Sequence, residues 1–176
     1  EKVRQYAYLN AFFESGFNNP IDLALRGLPD VSAAGFSKVD EVPYDFIRKR
    51  LSVVVAEGDK HWMITKGALQ NVLEVCQLAE NGAKSEPLKN VLDDILRDCE
   101  RYGREGFRVL GLACKDITGD PVINRDDETG MTFLGFILLY DPPKADVKTT
   151  LDKLENAGVH LKIISGDNEH TVRHTA

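Results

Sequence analysis

The sequence predicts an α+β fold, an antiparallel sheet flanked by helices, that passes near residue 141 into the start of a parallel α/β unit. Two β-rich runs, Leu51-Ser52-Val53-Val54-Val55-Ala56 and His61-Trp62-Met63-Ile64-Thr65, are parted by the turn signal Glu57-Gly58-Asp59-Lys60 and so form a hairpin. Residues 87–102 carry Leu88, Val91, Leu92, Ile95, Leu96, Cys99 and Tyr102 at spacings of three and four, an amphipathic helix. Beyond Pro142-Pro143, a helical pattern of Val147, Leu151 and Leu154 closes at Gly158 and leads into the apolar run at residues 159–164. That order is the half-unit of a parallel sheet, whose ligands gather at strand C-termini.

The elements follow in order. Residues 2–14 read as a helix bearing Tyr6, Leu9, Phe12 and Phe13, stopped by Ser15-Gly16. Asn18-Asn19-Pro20 supplies cap residues and a proline at the first helical position, so residues 21–26 form a short helix ended by Gly27. A loop rich in Gly, Ser, Pro and Asp precedes the hairpin, and Lys66 falls just past its second strand. Val72, Val75, Cys76 and Ala79 give residues 68–79 helical spacing, and Ser85 caps the long helix. Residues 108–114 and 133–140 read as two more strands joined by an acidic loop.

At 176 residues, 43% hydrophobic and 28% charged, the chain has the composition of a globular domain with a real core. Its longest apolar stretch, residues 133–140, falls far short of the ~20 residues of a membrane helix. No leader-like segment opens it and it starts at Glu1, so it reads as part of a longer protein. A net charge of −6 argues against a general nucleic-acid binder. Cys76, Cys99 and Cys114 lack C-x-x-C spacing and read as buried free thiols of a reducing compartment. His170 and His174 stand four apart without a third spaced ligand, too little for a metal site.

Neither a G-x-x-x-x-G-K-[ST] loop nor a G-x-G-x-x-G turn is present, so a nucleotide here would rest on side chains of a sheet. Pro43-Tyr44-Asp45-Phe46-Ile47-Arg48-Lys49-Arg50 sets two aromatics and three consecutive cations just before the first hairpin strand. The hairpin brings Lys49 towards Lys66, and Gly67 lets the chain approach a ligand closely. The competing reading of the basic run is a solvated edge that discourages aggregation.

Three motifs in fixed order, Lys66-Gly67-Ala68, Asp141-Pro142-Pro143-Lys144 and Ser165-Gly166-Asp167-Asn168, resemble the ATP-handling region of P-type cation pumps. Among them, Tyr8-Leu9-Asn10, Asn19-Pro20-Ile21-Asp22-Leu23-Ala24 and Pro43-Tyr44-Asp45-Phe46 most resemble bacterial magnesium-transporting ATPases. The resemblance implies a nucleotide-binding domain at residues 1–140, with residues 141–176 as hinge and partial return into a phosphorylation domain. It implies that Tyr44, or its rival Phe46, stacks on adenine, and that Asp22 accepts from the adenine amino group, directly or through water. Lys49, Lys66 and Arg108 would line the phosphates; the alternatives are a core ring for Phe46 and a surface ion pair for Arg108. Leu69-Gln70 stands where the family usually has Pro-Glu, and Lys144 where many relatives have arginine.

The resemblance further implies that Ser165, Gly166 and Asp167 face the phosphates after closure. It implies ATP with its Mg2+ as ligands, and as partners the phosphorylation and membrane domains of the same parent chain, at the cytoplasmic face of a bacterial inner membrane. No Asp-Lys-Thr-Gly-Thr run occurs, so no phosphorylated aspartate is expected here, nor any turnover by this chain alone. The chain is expected to be monomeric. The rival functions are a non-catalytic interaction module, a pump domain for another cation such as Ca2+, and a haloacid-dehalogenase-like phosphatase piece, which would need an absent Asp-x-Asp pair.

Overall fold

The computed structural model describes residues 1–16, 19–82, 84–119, 121–140, 146–160 and 162. A mixed seven-stranded sheet runs in the order β1-β2-β3-β6-β7-β4-β5. Its strands are β1 (Phe36–Val42), β2 (Arg50–Glu57), β3 (Lys60–Ala68), β4 (Cys76–Asn81), β5 (Lys84–Pro87), β6 (Arg108–Ile117) and β7 (Met131–Leu139). All neighbours are antiparallel except β4 and β7, which run parallel. Five α-helices accompany it among the described residues: α1 (Lys2–Phe13), α2 (Pro20–Arg26), α3 (Leu69–Leu73), α4 (Leu88–Arg104) and α5 (Val147–Asn156). No helix among the described residues is long and apolar enough to cross a membrane.

Period-two alternation sorts the sheet's side chains onto two covered faces. Leu51, Val53 and Val55 join Ile64, Leu112 and Cys114 beneath Tyr6, Leu9 and Ala11 of α1 and Leu25 of α2. Val54, Met63, Ala113 and Phe133 face the other way, beneath Leu69 and Val72 of α3 and Leu88 and Ile95 of α4. Burial on both faces explains why β2 reads as a continuous apolar run rather than an alternating one.

The hairpin has Glu57 opposite Lys60, so Gly58 and Asp59 make the turn. At α2, the Asn19 Oδ1 accepts from the Asp22 N–H at 3.0 Å and Pro20 takes the first turn, the cap that the sequence encodes. Four elements differ from the sequence expectation. Residues 68–79 are not one helix: α3 spans five residues, and Cys76–Asn81 becomes β4. Pairing with β7 on one side and β5 on the other satisfies the β4 backbone, which overrides the helical spacing of Val75, Cys76 and Ala79. Ser85 lies in β5, and Pro87 stands at the start of α4 without a side-chain cap bond. The loop before the hairpin contains β1, a mostly polar edge strand. Lys66 lies within β3 rather than beyond it.

Cys76 and Cys114 are buried and Cys99 half-buried, all as free thiols. Burial raises all three thiol pKa values, to about 12 for Cys76 and about 11 for Cys114. Of the buried strand expected at residues 159–164, residues 159, 160 and 162 are exposed and in no strand, and 161, 163 and 164 lie outside the described residues, as do Asp141, Pro142, Pro143, Lys144, Ser165, Gly166 and Asp167.

Candidate functional site at one end of the sheet

Strand register and one backbone bond gather Lys49, Lys66 and Gly67 at one sheet end. Arg50 stands opposite Gly67, and Gly67 opposite Gly111. The Ala68 N–H donates to the Lys49 carbonyl at 2.9 Å, so Lys49 continues the same edge. Arg108 opens β6 three residues before Gly111, roughly 10 Å along the strand, and its side chain is exposed.

Gly67 is required by the sheet itself. A Cβ there would lie 2.5 and 2.6 Å from Cβ and Cα of Arg50 and would also strike the Lys49 carbonyl oxygen. The glycine thus admits a close approach of β2 to β3, where the sequence reading assigned it to ligand approach. Gly111 serves α3 similarly, since its Cβ would meet the Val72 Cβ at 3.1 Å.

Lys66 points to the α1/α2 face, where its ammonium donates to the Asp22 carboxylate. The Lys66 and Asp22 side chains are 5% and 0% exposed, and Asn19 Nδ2 donates to the other Asp22 oxygen. The two residues that the family resemblance assigned to different parts of the nucleotide are therefore bonded to each other. Glu14, at the end of α1, joins them from above. Its carboxyl lies against that of Asp22, with the Arg26 guanidinium 3.8 Å away. Burial first, then the contact with Asp22, raises the Glu14 pKa to about 7 despite the opposing pull of Lys66 and Arg26. Glu14 Oε1 and Asn10 Oδ1 are buried without hydrogen-bond partners among the described residues, while Asn10 Nδ2 donates to the Ile64 carbonyl at 2.8 Å.

The aromatic pair sits on an arm between β1 and β2. Tyr44 and Phe46 are 49% and 87% exposed and meet edge to face, with ring centroids 5.6 Å apart. Phe46 is thus no core ring. Of the three consecutive cations, Lys49 is exposed and adopts a left-handed backbone at φ 50°, whereas Arg48 and Arg50 turn inward. Both guanidiniums bond to Glu128, at 2.6 and 2.9 Å. The basic run is therefore neither a solvated edge nor three free phosphate ligands.

Sequence reading missed Glu128 and Glu14 and gave Asn10 no part in the site. Glu128 was hidden in an acidic loop, and the other two were hidden in a helix read for its aromatics. A polar cavity of about 230 Å³, lined by Lys115, Asp116, Thr118, Val122 and Asp127 among others, lies at the opposite end of β6, away from Lys66.

A mixed sheet covered by helices, whose candidate site is built from side chains at one strand end and not from a glycine-rich loop, marks the class of domain. A family model for the P-type ATPase cytoplasmic domain N matches residues 19–146. The chain belongs to the P-type ATPases. Over 96% of its length it is 37% identical to the magnesium-transporting ATPase, P-type 1, of Escherichia coli K12, covering 20% of that protein. Similarity extends to the endoplasmic reticulum calcium ATPase srcA of Aspergillus fumigatus, 33% identical over 73% of the chain and 15% of that protein. Calcium-transporting ATPase 1 of Bacillus cereus is 30% identical over 76% of the chain and 15% of that protein. The chain spans about a fifth of the length of the magnesium-transporting relatives.

Proposed function

We propose that this chain is the ATP-holding domain of a pump that moves a cation, Mg2+ in the first instance, across a membrane. The observation that carries the reading is the sheet end itself. Lys49, Arg108 and the buried Lys66–Asp22 pair lie toward that end of the sheet, and the exposed Tyr44 and Phe46 stand on the arm that leads into β2 there, in a P-type ATPase domain. Tyr44 offers its face to the base, with Phe46 behind it edge-on; such a contact contributes about 1 kcal/mol. Lys49 and Arg108 meet the phosphates, whose charge draws Lys66 away from Asp22 and frees that carboxylate for the adenine amino group. Mg2+ arrives with the nucleotide.

Residues 1–140 form this domain, and residues 141–176 carry the hinge and the return, with Ser165, Gly166 and Asp167 on the phosphate side after closure. The γ-phosphate then passes to an aspartate elsewhere in the parent protein, a transfer governed by positioning. Magnesium is preferred to calcium as cargo because the magnesium-transporting relatives are 33–37% identical over 95–96% of the chain and the calcium-transporting ones 30–33% identical over 73–87% of it.

The test is an NMR titration of the 176-residue chain with Mg-ATP. Shifts centred on Tyr44, Phe46, Lys49, Gly67 and Arg108 are expected, with a Kd on the order of 0.1 to several mM, or about −3 to −5.5 kcal/mol. Shifts that avoid this sheet end would remove the assignment. No steady ATP turnover is expected.

A further inference from the structure

We propose that Glu128 is a positioning residue for nucleotide binding, holding the aromatic arm at residues 43–49 to the sheet through Arg48 and Arg50. The inference rests on the reading of Tyr44 as the base-stacking ring. Tyr44, Phe46 and Ile47 are 49%, 87% and 90% exposed, so burial in the core does not place them. What places them is polar. Asp45 Oδ1 accepts from the N–H groups of Ile47 and Arg48 at 2.9 and 2.7 Å, and the Asp45 carbonyl accepts from the Lys49 N–H at 2.9 Å. Arg48 closes the turn by donating to the Asp45 carboxylate and, at 2.6 Å, to the Pro43 carbonyl.

That turn is tied to the rest of the fold by Glu128. Its side chain is 0% exposed and accepts from Arg48 Nη1 at 2.6 Å, Arg50 Nε at 2.9 Å and Ser52 Oγ at 2.7 Å. Arg50 is anchored in turn to the Asn71 carbonyl at 3.0 Å, and Ser52 to Thr65 at 2.6 Å. One carboxylate, from the loop before β7, thus links the arm to β2, β3 and α3. Burial opposes the charge on Arg48, but its bonds to Glu128 and Asp45 outweigh this and raise its pKa. Buried ion clusters are poor stabilisers compared with apolar packing, and the role proposed for this one is to fix geometry. Here the fixed geometry is the approach of Tyr44 and Lys49 to the Gly67 edge.

The experiment compares Glu128→Gln, Arg48→Lys, Tyr44→Ala and the double variant Glu128→Gln/Tyr44→Ala in the 176-residue chain, by Mg-ATP titration alongside thermal melting. Glutamine keeps the shape of Glu128 without its charge, and lysine lacks the fork that spans three acceptors. Glu128→Gln and Arg48→Lys are each expected to weaken ATP binding roughly threefold to tenfold in folded protein. The double variant should bind more tightly than the product of the two single effects predicts, because Glu128 acts in part through the placement of Tyr44. A merely structural role would lower the melting temperature and leave the two effects multiplicative. Parent-like affinity in both Glu128→Gln and Arg48→Lys, with Tyr44→Ala weakened, overturns the positioning role and leaves the pocket standing. Parent-like affinity in Tyr44→Ala overturns the pocket and the positioning role together.

Discussion

The Lys66 ammonium and the Asp22 carboxylate are removed from water by the same packing that buries Leu25 and Ile64. Taking away one partner leaves an uncompensated buried charge, which typically costs 3–5 kcal/mol, whereas replacing both together is near neutral. Lys66→Met should therefore destabilise the fold by about that amount in urea melts, and Lys66→Met/Asp22→Asn should recover most of the loss. A binding defect in the single variant is interpretable only against the double one. Glu14 adds a pH dependence. Its folded pKa, about 7, lies above the ordinary 4.5, so the folded state holds the proton more tightly than the unfolded one. The associated stability is complete below pH 4.5 and is lost as pH rises to about 7 and beyond. Glu14→Gln should abolish this slope and stabilise the protein at pH 8 by about 1–3 kcal/mol, measured by melts from pH 5 to 8. The sequence displayed these residue types but not their partners. That Lys66 meets Asp22 depends on α2 folding back over β3, a contact across 44 positions that no local spacing encodes.

Among the elements, those built from local rules were legible and those built from distant pairing were not. The β2–β3 turn and the Asn19 cap of α2 depend on neighbours a few residues apart, and both stand in the structure. Residues 68–79 have helical spacing, yet Cys76–Asn81 forms β4 because β7, more than fifty residues later, offers a parallel edge. β1 was illegible because its polar outer positions look like loop. The hairpin end supplies a prediction of its own. A methyl at Gly67 would intrude on Lys49 and Arg50, and neither backbone atom yields as a flexible side-chain tip does. Gly67→Ala should cost about 1–3 kcal/mol, the usual penalty for overpacking, and should weaken Mg-ATP binding by splaying the strand that carries the arm. Thermal melting and the NMR titration read the two effects separately. Loss of ATP shifts without loss of stability would show that Gly67 belongs to the ligand and not to the sheet.

At the scale of the whole molecule, both apolar clusters are assembled from residues 3–139. α5 has no buried residue, so it contributes nothing to either cluster. α1 is the opposite case. It precedes the segment matched by the domain family model, residues 19–146, yet it places Tyr6, Ala7, Leu9 and Ala11 in the first cluster. Leu9 and Ala11 are fully buried, and Asn10 spans to the Ile64 carbonyl. Removing α1 would uncover the Leu51, Val53, Ile64 and Leu112 surface beneath it. Each large apolar side chain re-exposed loses about 1.5–3 kcal/mol, and several together approach the ~5–15 kcal/mol total stability of a domain. A protein of residues 1–140 should therefore fold with a melting temperature within about 5 °C of the full chain and bind Mg-ATP equally well. One cut to residues 19–146 should lack a cooperative transition, although it contains Asp22, Tyr44, Lys49, Lys66, Gly67 and Arg108. Circular dichroism melts of the two settle where the folding unit begins. A cooperative, ATP-binding 19–146 protein would mean that α1 rests on the sheet without supporting it.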